Sequence, residues 1–479
     1  MNGQGPDQNL EINECLVTFQ ASQGTELRGT LARMDRHQIV FEIYDPAVVL
    51  RVSEVLNGLK IFVAGQIIYS GRVVISNLID SGTAIVCEAR LDDVWFNPHE
   101  GYSGLSTDRL NREFDGFLRQ WQKHFCITRE YRLFVSELQS FFHDLRLWLG
   151  QVELNVRSMP SADSRSLEYD LGEQFGRKAL DVFRHFVERF ELIAASLHPD
   201  TVPAHQAYMR RQMHPLLLCS PWVYRTVSKP LGYAGDYEMV NMMLREPLEG
   251  ASLFAKVVNY CFMHQAPVVA HRNRIDCLVR KLVEESLRTQ RAGRGLRVLS
   301  VGCGPAIEVQ RFLAQSPLAA TASFDLLDFN DQTLQHARKA VAEANQRNGY
   351  SPARVRLIRK SVQQIVKEAS RATQAPAGNP YDLVYCAGLF DYLTDKVCQR
   401  LMNVMFDWLA PGGLLLATNV APCNPIRYGM EHMLDWNLVY RLPPQLRSLK
   451  PQRAAEEASV TSDVTGVNTW VEVRKEGHG

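Results

Sequence analysis

The chain has 479 residues, 53 of them Lys or Arg and 52 Asp or Glu, for a net charge of +1. A hydrophobic fraction of 46% and a charged fraction of 22% are those of ordinary globular protein, and the length suggests two to four domains. The charge balance offers no overall basic field for nucleic acid, no run reaches the ~18 apolar residues of a membrane span, and no apolar core precedes Leu10 as a secretory signal would need. The ten cysteines form no CxxC pair, which suits reduced thiols in a cytoplasmic protein and leaves no metal site expected.

Residues 1–99 read as a small β-barrel. Cys15 to Gln20, Leu27 to Met34, His37 to Tyr44, Lys60 to Ala64, Gln66 to Ser76 and Thr83 to Ala89 are strand-like, with Gly and Asp punctuation between several of them. Their order resembles PilZ-type barrels, many of which bind cyclic di-GMP through an Arg-x-x-x-Arg motif and an Asp/Asn-x-Ser-x-x-Gly strand motif. Neither is present in clear form: Asn77-Leu-Ile-Asp-Ser-Gly82 has the wrong spacing. A docking barrel is the expectation, with cyclic di-GMP binding as the alternative.

Residues 100–290 read as helical. Leu110 to Trp148 places Phe114, Phe117, Leu118, Trp121, Phe125, Leu138, Phe141, Leu145 and Trp148 at helical spacing. Ser158 to Arg165 is a polar, proline-containing break. Ser164 to Leu197 is a second long amphipathic run whose Phe175, Phe183, Phe186 and Phe190 read as core. Between Ser220 and Glu238 the composition changes to Gly, Pro, Tyr and charge, which suits either an interdomain elbow or a lid. As a lid it would turn Tyr233, Asp236 and Tyr237 to the cleft, with Asp236 also placed to cap a helix to Leu244. Pro267 to Arg280 is a helix carrying His271, Arg272 and Arg274. Either arginine can meet a carboxylate or a phosphopantetheine phosphate, against the simpler reading of a solvated face.

Residues 291–479 alternate strand and helix, the pattern of a parallel α/β sheet. The strands are Arg297 to Val301, Ser323 to Asp328, Arg354 to Arg359, Tyr381 to Ala387 and Leu414 to Asn419. Helices are expected over Asp331 to Asn345, with Asn330 as cap, and over Asp395 to Leu409, stopped by Pro411-Gly412-Gly413. A further helix is expected from Pro425 to about Tyr440. Arg371 to Pro380 is a loop, and a hairpin through Thr465-Gly466 ends the chain. Five parallel strands followed by an antiparallel pair give an α/β, Rossmann-like, seven-stranded sheet behind the helical region and the barrel.

Within that sheet four features stand in order. Val301-Gly302-Cys303-Gly304-Pro305-Ala306 is a turn that leaves backbone open to a ligand. Asp328, followed by Phe329, ends the second strand, where a carboxylate can accept from ribose hydroxyls. Ala387 and Gly388 follow the fourth strand, and Leu409-Ala-Pro-Gly-Gly413 precedes the fifth. Over this region the chain resembles class I S-adenosylmethionine-dependent methyltransferases. The resemblance implies S-adenosylmethionine as cofactor, held by Gly302, Cys303, Gly304, Asp328, Phe329, Ser361, Ala387 and Gly388. Three departures stand out. Ser300 replaces the acidic residue that often holds the cofactor's amino end, Ala306 replaces a third glycine, and Ser361 stands where an acidic adenine contact is common. Ile307, where a dinucleotide fingerprint has glycine, weakens a nicotinamide reading.

The wider pattern resembles one bacterial family through Lys229-Pro-Leu-Gly-Tyr-Ala-Gly-Asp-Tyr237, Arg297 to Glu308, and Leu327-Asp-Phe329. Its members are described as biosynthesis proteins for the extracellular factor 3-hydroxypalmitic acid methyl ester. The resemblance implies methyl esterification of a 3-hydroxy fatty acid, free or on an acyl carrier, to make a quorum-sensing signal. Tyr233, Asp236 and Tyr392 would then form the acceptor site. The alternatives are a cyclic-di-GMP-responsive regulator with a degenerate methyltransferase domain, and a methyltransferase for another small metabolite.

Overall fold

The computed structural model describes residues 15–92, 127–347, 352–371 and 380–477, apart from a few isolated positions, and scattered positions between 111 and 118. Of the expected first helix, Leu110, Phe117, Trp121 and Phe125 lie outside the described residues, as does most of the Arg371 to Pro380 loop.

Six strands make the N-terminal unit: β1 Cys15–Gln20, β2 Glu26–Met34, β3 Gln38–Ile43, β4 Val55–Val63, β5 Gln66–Asp80 and β6 Ile85–Leu91. They close in the order β1-β2-β3-β6-β5-β4, with β4 returning to pair antiparallel with β1. Closure leaves no unpaired edge, and alternate residues such as Val17, Phe19, Ile39 and Phe41 fill the interior. β4 begins earlier than its alternation suggests. Gly58, at φ 63°, sits in a register shift between Leu56 and Leu59 that interrupts the period of two.

The helices α1 Arg129–Arg157, α2 Ser161–Ala195, α3 Val202–Leu217, α4 Pro221–Ser228, α5 Tyr237–Leu244 and α6 Leu253–Met263 form the middle layer. Its core holds Tyr131, Phe134, Phe142, Phe183, Phe190 and Phe262, all essentially inaccessible, with Phe175 and Phe186 packed at its margin. The expected break up to Arg165 is shorter than its polarity suggests, because α2 begins at Ser161. A proline suits a helix start, and polar side chains are tolerated in a first turn.

A long helix, α7 Ala266–Arg291, leads into the C-terminal sheet. That sheet comprises β7 Arg297–Val301, β8 Ser323–Asp328, β9 Arg354–Arg359, β10 Tyr381–Cys386, β11 Leu409–Val420, β12 Ser459–Ser462 and β13 Asn468–Arg474. The order is β12-β13-β11-β10-β7-β8-β9, with β7 to β11 parallel and β13 antiparallel to both β11 and β12. Helices α8 Ile307–Gln315, α9 Asp331–Arg347, α10 Val362–Arg371 and α11 Asp395–Asp407 connect the parallel strands. α12 Arg427–Met433 and α13 Pro443–Ser448 lie between β11 and β12. The switch in strand order falls between β7 and β10, so the crevice beyond their carboxyl ends is where such a sheet takes a ligand.

Two expectations for this region are corrected. Pro411-Gly412-Gly413 does not follow the helix: α11 ends at Asp407, and the triplet lies inside β11, at a register shift against β10. Gly412 there donates to Lys475 O, so the turn is held by the terminal strand. The helix after Pro425 stops at Met433 instead of Tyr440, because Asp435 takes a left-handed conformation with φ 53°.

Asp435 is a carboxylate surrounded by three cations. It is buried, and its two oxygens accept from Arg90 of β6 at 2.9 and 2.6 Å. Lys229, at the end of α4, reaches its backbone oxygen at 2.8 Å and its side chain at 3.2 Å, and Arg210 of α3 lies 3.8 Å away. Burial alone would raise the Asp435 pKa, but Arg90, Lys229 and Arg210 hold it far below the usual carboxylate range. Barrel, helical layer and C-terminal sheet are thus joined at one charge.

Removing that charge leaves Lys229 and Arg210 buried without their counter-ion and Arg90 with Asp92 alone, so Asp435→Asn should cost about 3–5 kcal/mol, read as a lowered urea midpoint. The sign with pH follows from the depressed pKa. The stabilisation is present above the unfolded carboxylate pKa of about 3.9 and is lost progressively as pH falls below it.

Candidate active site

The carboxyl ends of β7, β8 and β10 open onto a cavity. Its floor is the turn after β7. Gly302 N and Cys303 N both donate to Leu327 O, at 2.8 and 2.9 Å, which folds the turn tightly over β8. Gly304 has φ 53° and nothing within 4 Å of where a Cβ would stand, so its backbone faces open space. Ala306 caps α8 in a left-handed conformation with φ 54°. Its methyl is fully buried in the core between α7 and the sheet, which offsets strain of about 1–2 kcal/mol that a glycine would not incur.

Asp328 sits beside this turn and is buried. One carboxylate oxygen accepts from Gly304 N at 3.2 Å and the other from Asn330 N at 3.0 Å, which leaves lone pairs for further donors. Burial raises its pKa, opposed by those amides and by Arg51. Arg51 comes from the barrel. The segment between β3 and β4 is buried from Val48 to Glu54, and Val52 N donates to Tyr392 O at 3.0 Å while Val55 N donates to Gly232 O at 2.8 Å. The Arg51 guanidinium stands 4.7 Å from the Tyr233 ring and 4.4 Å from the Phe329 ring. Those two rings are themselves 5.3 Å apart.

The other end of the cavity carries Glu308, in the first turn of α8. It is buried and accepts from Tyr385 Oη at 2.6 Å, and burial raises its pKa. Its position answers the departure at Ser300: the cavity has a carboxylate, supplied by the helix after the turn instead of the strand before it. Ser361 lines the cavity too, and its hydroxyl accepts from Gln364 N at the start of α10. Cys303, Phe329, Ala387 and Gly388 all line it.

A second cavity adjoins the first. The two share Gly235, Val240, His271, Arg274, Gly388 and Tyr392. The walls of the second are mainly apolar, with Trp222, Met243, Phe262, Met430, Leu434 and Trp436 among them. Tyr233 and Tyr237 face the first cavity, and Tyr392, whose Oη accepts from Trp436 Nε1 at 3.0 Å, faces both. Asp236 is corrected: it lines neither cavity. It caps α5, accepting from Glu238 N and Met239 N at 3.0 Å each, and Arg225 Nε holds both its oxygens. A sequence that signals a cap signals a cleft carboxylate equally well, and the fold chose the cap. Arg272 is likewise occupied by the fold, donating to Met243 O at 2.7 Å. Arg274 departs from the solvated-face reading, since its surface faces the cavities. Sequence reasoning left Arg51 and the placement of Glu308 unassigned. Only Glu308 carried a signal, as an acid in the first turn after the glycine loop.

Residues 299–415 match the family model of a methyltransferase domain. That is the stretch from β7 into β11, which holds every strand end that opens on the first cavity. No curated protein matches the chain in sequence. Among solved structures, the chain is similar to a possible exported protein from Bordetella parapertussis, at 18% identity and a TM-score of 0.41, over 63% of this chain and 97% of that one. It is also similar to magnesium protoporphyrin IX methyltransferase from Synechocystis with bound S-adenosylmethionine, at 16% identity and a TM-score of 0.30, over 44% of this chain and 82% of that one. A third is the N-methyltransferase NodS from Bradyrhizobium japonicum, at 14% identity and a TM-score of 0.27, over 41% of this chain and 94% of that one. Among the described residues no helix is long and apolar enough to cross a membrane.

Methyltransferase domains of this sheet order take S-adenosylmethionine, and the groups lining the first cavity fit it: open backbone at Gly304, a buried carboxylate with spare lone pairs at Asp328, and a second carboxylate at Glu308. Asp328→Ala should weaken S-adenosylhomocysteine binding by about 1–3 kcal/mol, the scale of an unmade buried hydrogen bond, measured by calorimetry. Arg51→Ala should weaken it by about 0.5–2 kcal/mol through the loosened Tyr233–Phe329 wall. Unchanged affinity in that variant would separate the barrel from the site.

Proposed function

We propose that this protein transfers the methyl group of S-adenosylmethionine to the carboxylate of a fatty acid, with a 3-hydroxy fatty acid as substrate and a methyl ester signal as product. The observation that carries the reading is the mainly apolar cavity that joins the cofactor cavity at Gly235, Arg274, Gly388 and Tyr392. An acyl chain suits its walls, and a polar head then lies at the junction of the two cavities.

S-adenosylmethionine supplies an electrophilic methyl on a sulfonium. The protein's part is to align the acceptor and exclude water. In this reading Asp328 holds the ribose hydroxyls, the Gly302–Gly304 backbone lies beneath the methionine portion, and Glu308 meets its ammonium. Phe329, Ser361, Cys303 and Ala387 complete the walls. Tyr233 and Tyr392 shape the way in for the acceptor. A carboxylate is ionised at neutral pH and needs no general base. An acyl group on a carrier is a thioester without a free carboxylate, so the reading requires the free acid. The barrel serves as a wall of the cofactor site through Val49, Arg51 and Val52, which accounts for its presence without a nucleotide ligand.

Incubating the protein with S-adenosylmethionine and a panel of saturated and 3-hydroxy acids, followed by mass spectrometry, should yield methyl esters and S-adenosylhomocysteine in equal amounts. Methylation of amines or phenols, with none of acids, would replace this reading with another small-molecule acceptor.

A further inference from the structure

Arg274 and His271 lie one helical turn apart on α7, where the two cavities meet. Arg274 Nη2 donates to His271 Nδ1 at 2.6 Å. A guanidinium can only donate, so Nδ1 accepts and the imidazole proton resides on Nε2. Burial, with Arg274 and Arg272 alongside, lowers the His271 pKa far enough to keep the ring neutral. Its Nε2 is buried and has no partner among the described residues. Among the described residues, Arg274 has no carboxylate oxygen within 4.0 Å, and its one side-chain hydrogen bond is the bond to His271. The acids whose charge reaches Arg274 make their hydrogen bonds elsewhere: Asp391 accepts from Val420 N at 2.6 Å and Glu308 from Tyr385 Oη. Tyr392, also facing this junction, stays a phenol because burial raises its pKa.

Gly388 shows that the fold makes room for this cation. It has φ 86°, and a Cβ there would lie 2.7 Å from Arg274 Nη1, so the guanidinium rests directly on the backbone after β10. Gly388 N donates to Thr418 Oγ1 at 2.9 Å, which fixes that turn. A cation held against a fixed turn, beside an unmet N–H donor, at the polar mouth of a mainly apolar cavity is complementary to one ligand chemistry: a carboxylate on an apolar tail. Farther along the same cavity, Trp222 Nε1 and Asn468 Oδ1 are also buried without a partner among the described residues. They are a donor and an acceptor, which a hydroxyl on the ligand could answer.

Resting on the methyltransferase reading above, we infer that Arg274 and His271 form the acceptor-carboxylate clamp, one oxygen taking the guanidinium and the Nε2 proton of His271, and the other left for the methyl group. In the transfer, a carboxylate oxygen forms a bond to the methyl carbon as the carbon–sulfur bond breaks. The sulfur keeps the electron pair, and no proton moves. The product is a neutral ester, which no longer compensates Arg274, so the clamp holds substrate and releases product.

Calorimetry of the full chain saturated with S-adenosylhomocysteine tests this with dodecanoate against dodecan-1-ol. The wild type should bind the acid at least about tenfold more tightly, the scale of a hydrogen bond to a charged group. Arg274→Gln should abolish that preference while still binding S-adenosylhomocysteine, which reports a folded protein. Should that variant fail to fold, His271→Phe removes the Nε2 donor and keeps the cation, and should lower acid affinity severalfold with little change for the alcohol. A wild type without preference for the acid, or an Arg274→Gln protein that keeps it, overturns the clamp. The clamp and the proposed reaction fail separately. Ester formation with unchanged kcat/KM in Arg274→Gln would remove the clamp alone, whereas Arg274-dependent acid binding without ester formation from any acid would remove the reaction alone.

Discussion

The architecture depends on one buried carboxylate. Asp435 accepts from Arg90 of the barrel and Lys229 of the segment before α5, and stands close to Arg210 of the helical layer. Cations of this kind are costly to bury singly, and a shared counter-ion is what allows them to meet in the interior. The geometry explains a local oddity as well. Asp435 takes a left-handed conformation, which ends α12 and turns Trp436 toward the second cavity. The same residue therefore fixes the relative placement of the three units and one wall of the second cavity.

With the units so joined, the cofactor cavity is a composite. The C-terminal sheet supplies the glycine turn, Asp328 and Glu308. The segment before α5 supplies Tyr233, and the barrel supplies Arg51 against two aromatic rings. A cation against two aromatic rings gains most while desolvated, so this wall depends on the barrel segment staying inserted. Main-chain bonds from Val52 to Tyr392 and from Val55 to Gly232 hold it there. Arg441 performs a related task beneath the β10 turn. Fully buried, it donates to Phe390 O, Leu393 O and Asn419 Oδ1, and so keeps the loop carrying Tyr392 in one shape.

The two cavities differ in character because different layers line them. The first lies over the ends of parallel strands, where backbone and carboxylates converge. The second lies between the helical layer and α12, where Phe262, Met430 and Leu434 belong to the helical core. The polar groups of α7 stand between them. That arrangement separates a polar cavity from a mainly apolar one and concentrates charged groups at their shared mouth.

Much of this fold was legible from the chain alone. The period of two in the barrel strands, the alternation of strand and helix after residue 291, and the glycine turn after β7 are local patterns imposed by backbone sterics and by one-sided burial. They place Gly302, Gly304 and Asp328 at one end of a sheet with no further information. The bounds of β4 and α12 were hidden, because a bulge at Gly58 and a left-handed Asp435 break the period for reasons that lie elsewhere in the chain. What only the tertiary structure decided is which charged groups face a ligand. Asp236 and Arg272 became fixtures of the fold, whereas Arg51, Glu308, His271 and Arg274 became cavity walls. A charged side chain in sequence has the same local signature whether it caps a helix, pairs across domains or awaits a substrate. Its partner sets its role, and the partners lie far away in the chain: Asp435 for Arg90, Phe329 for Arg51, and the Gly388 turn for Arg274.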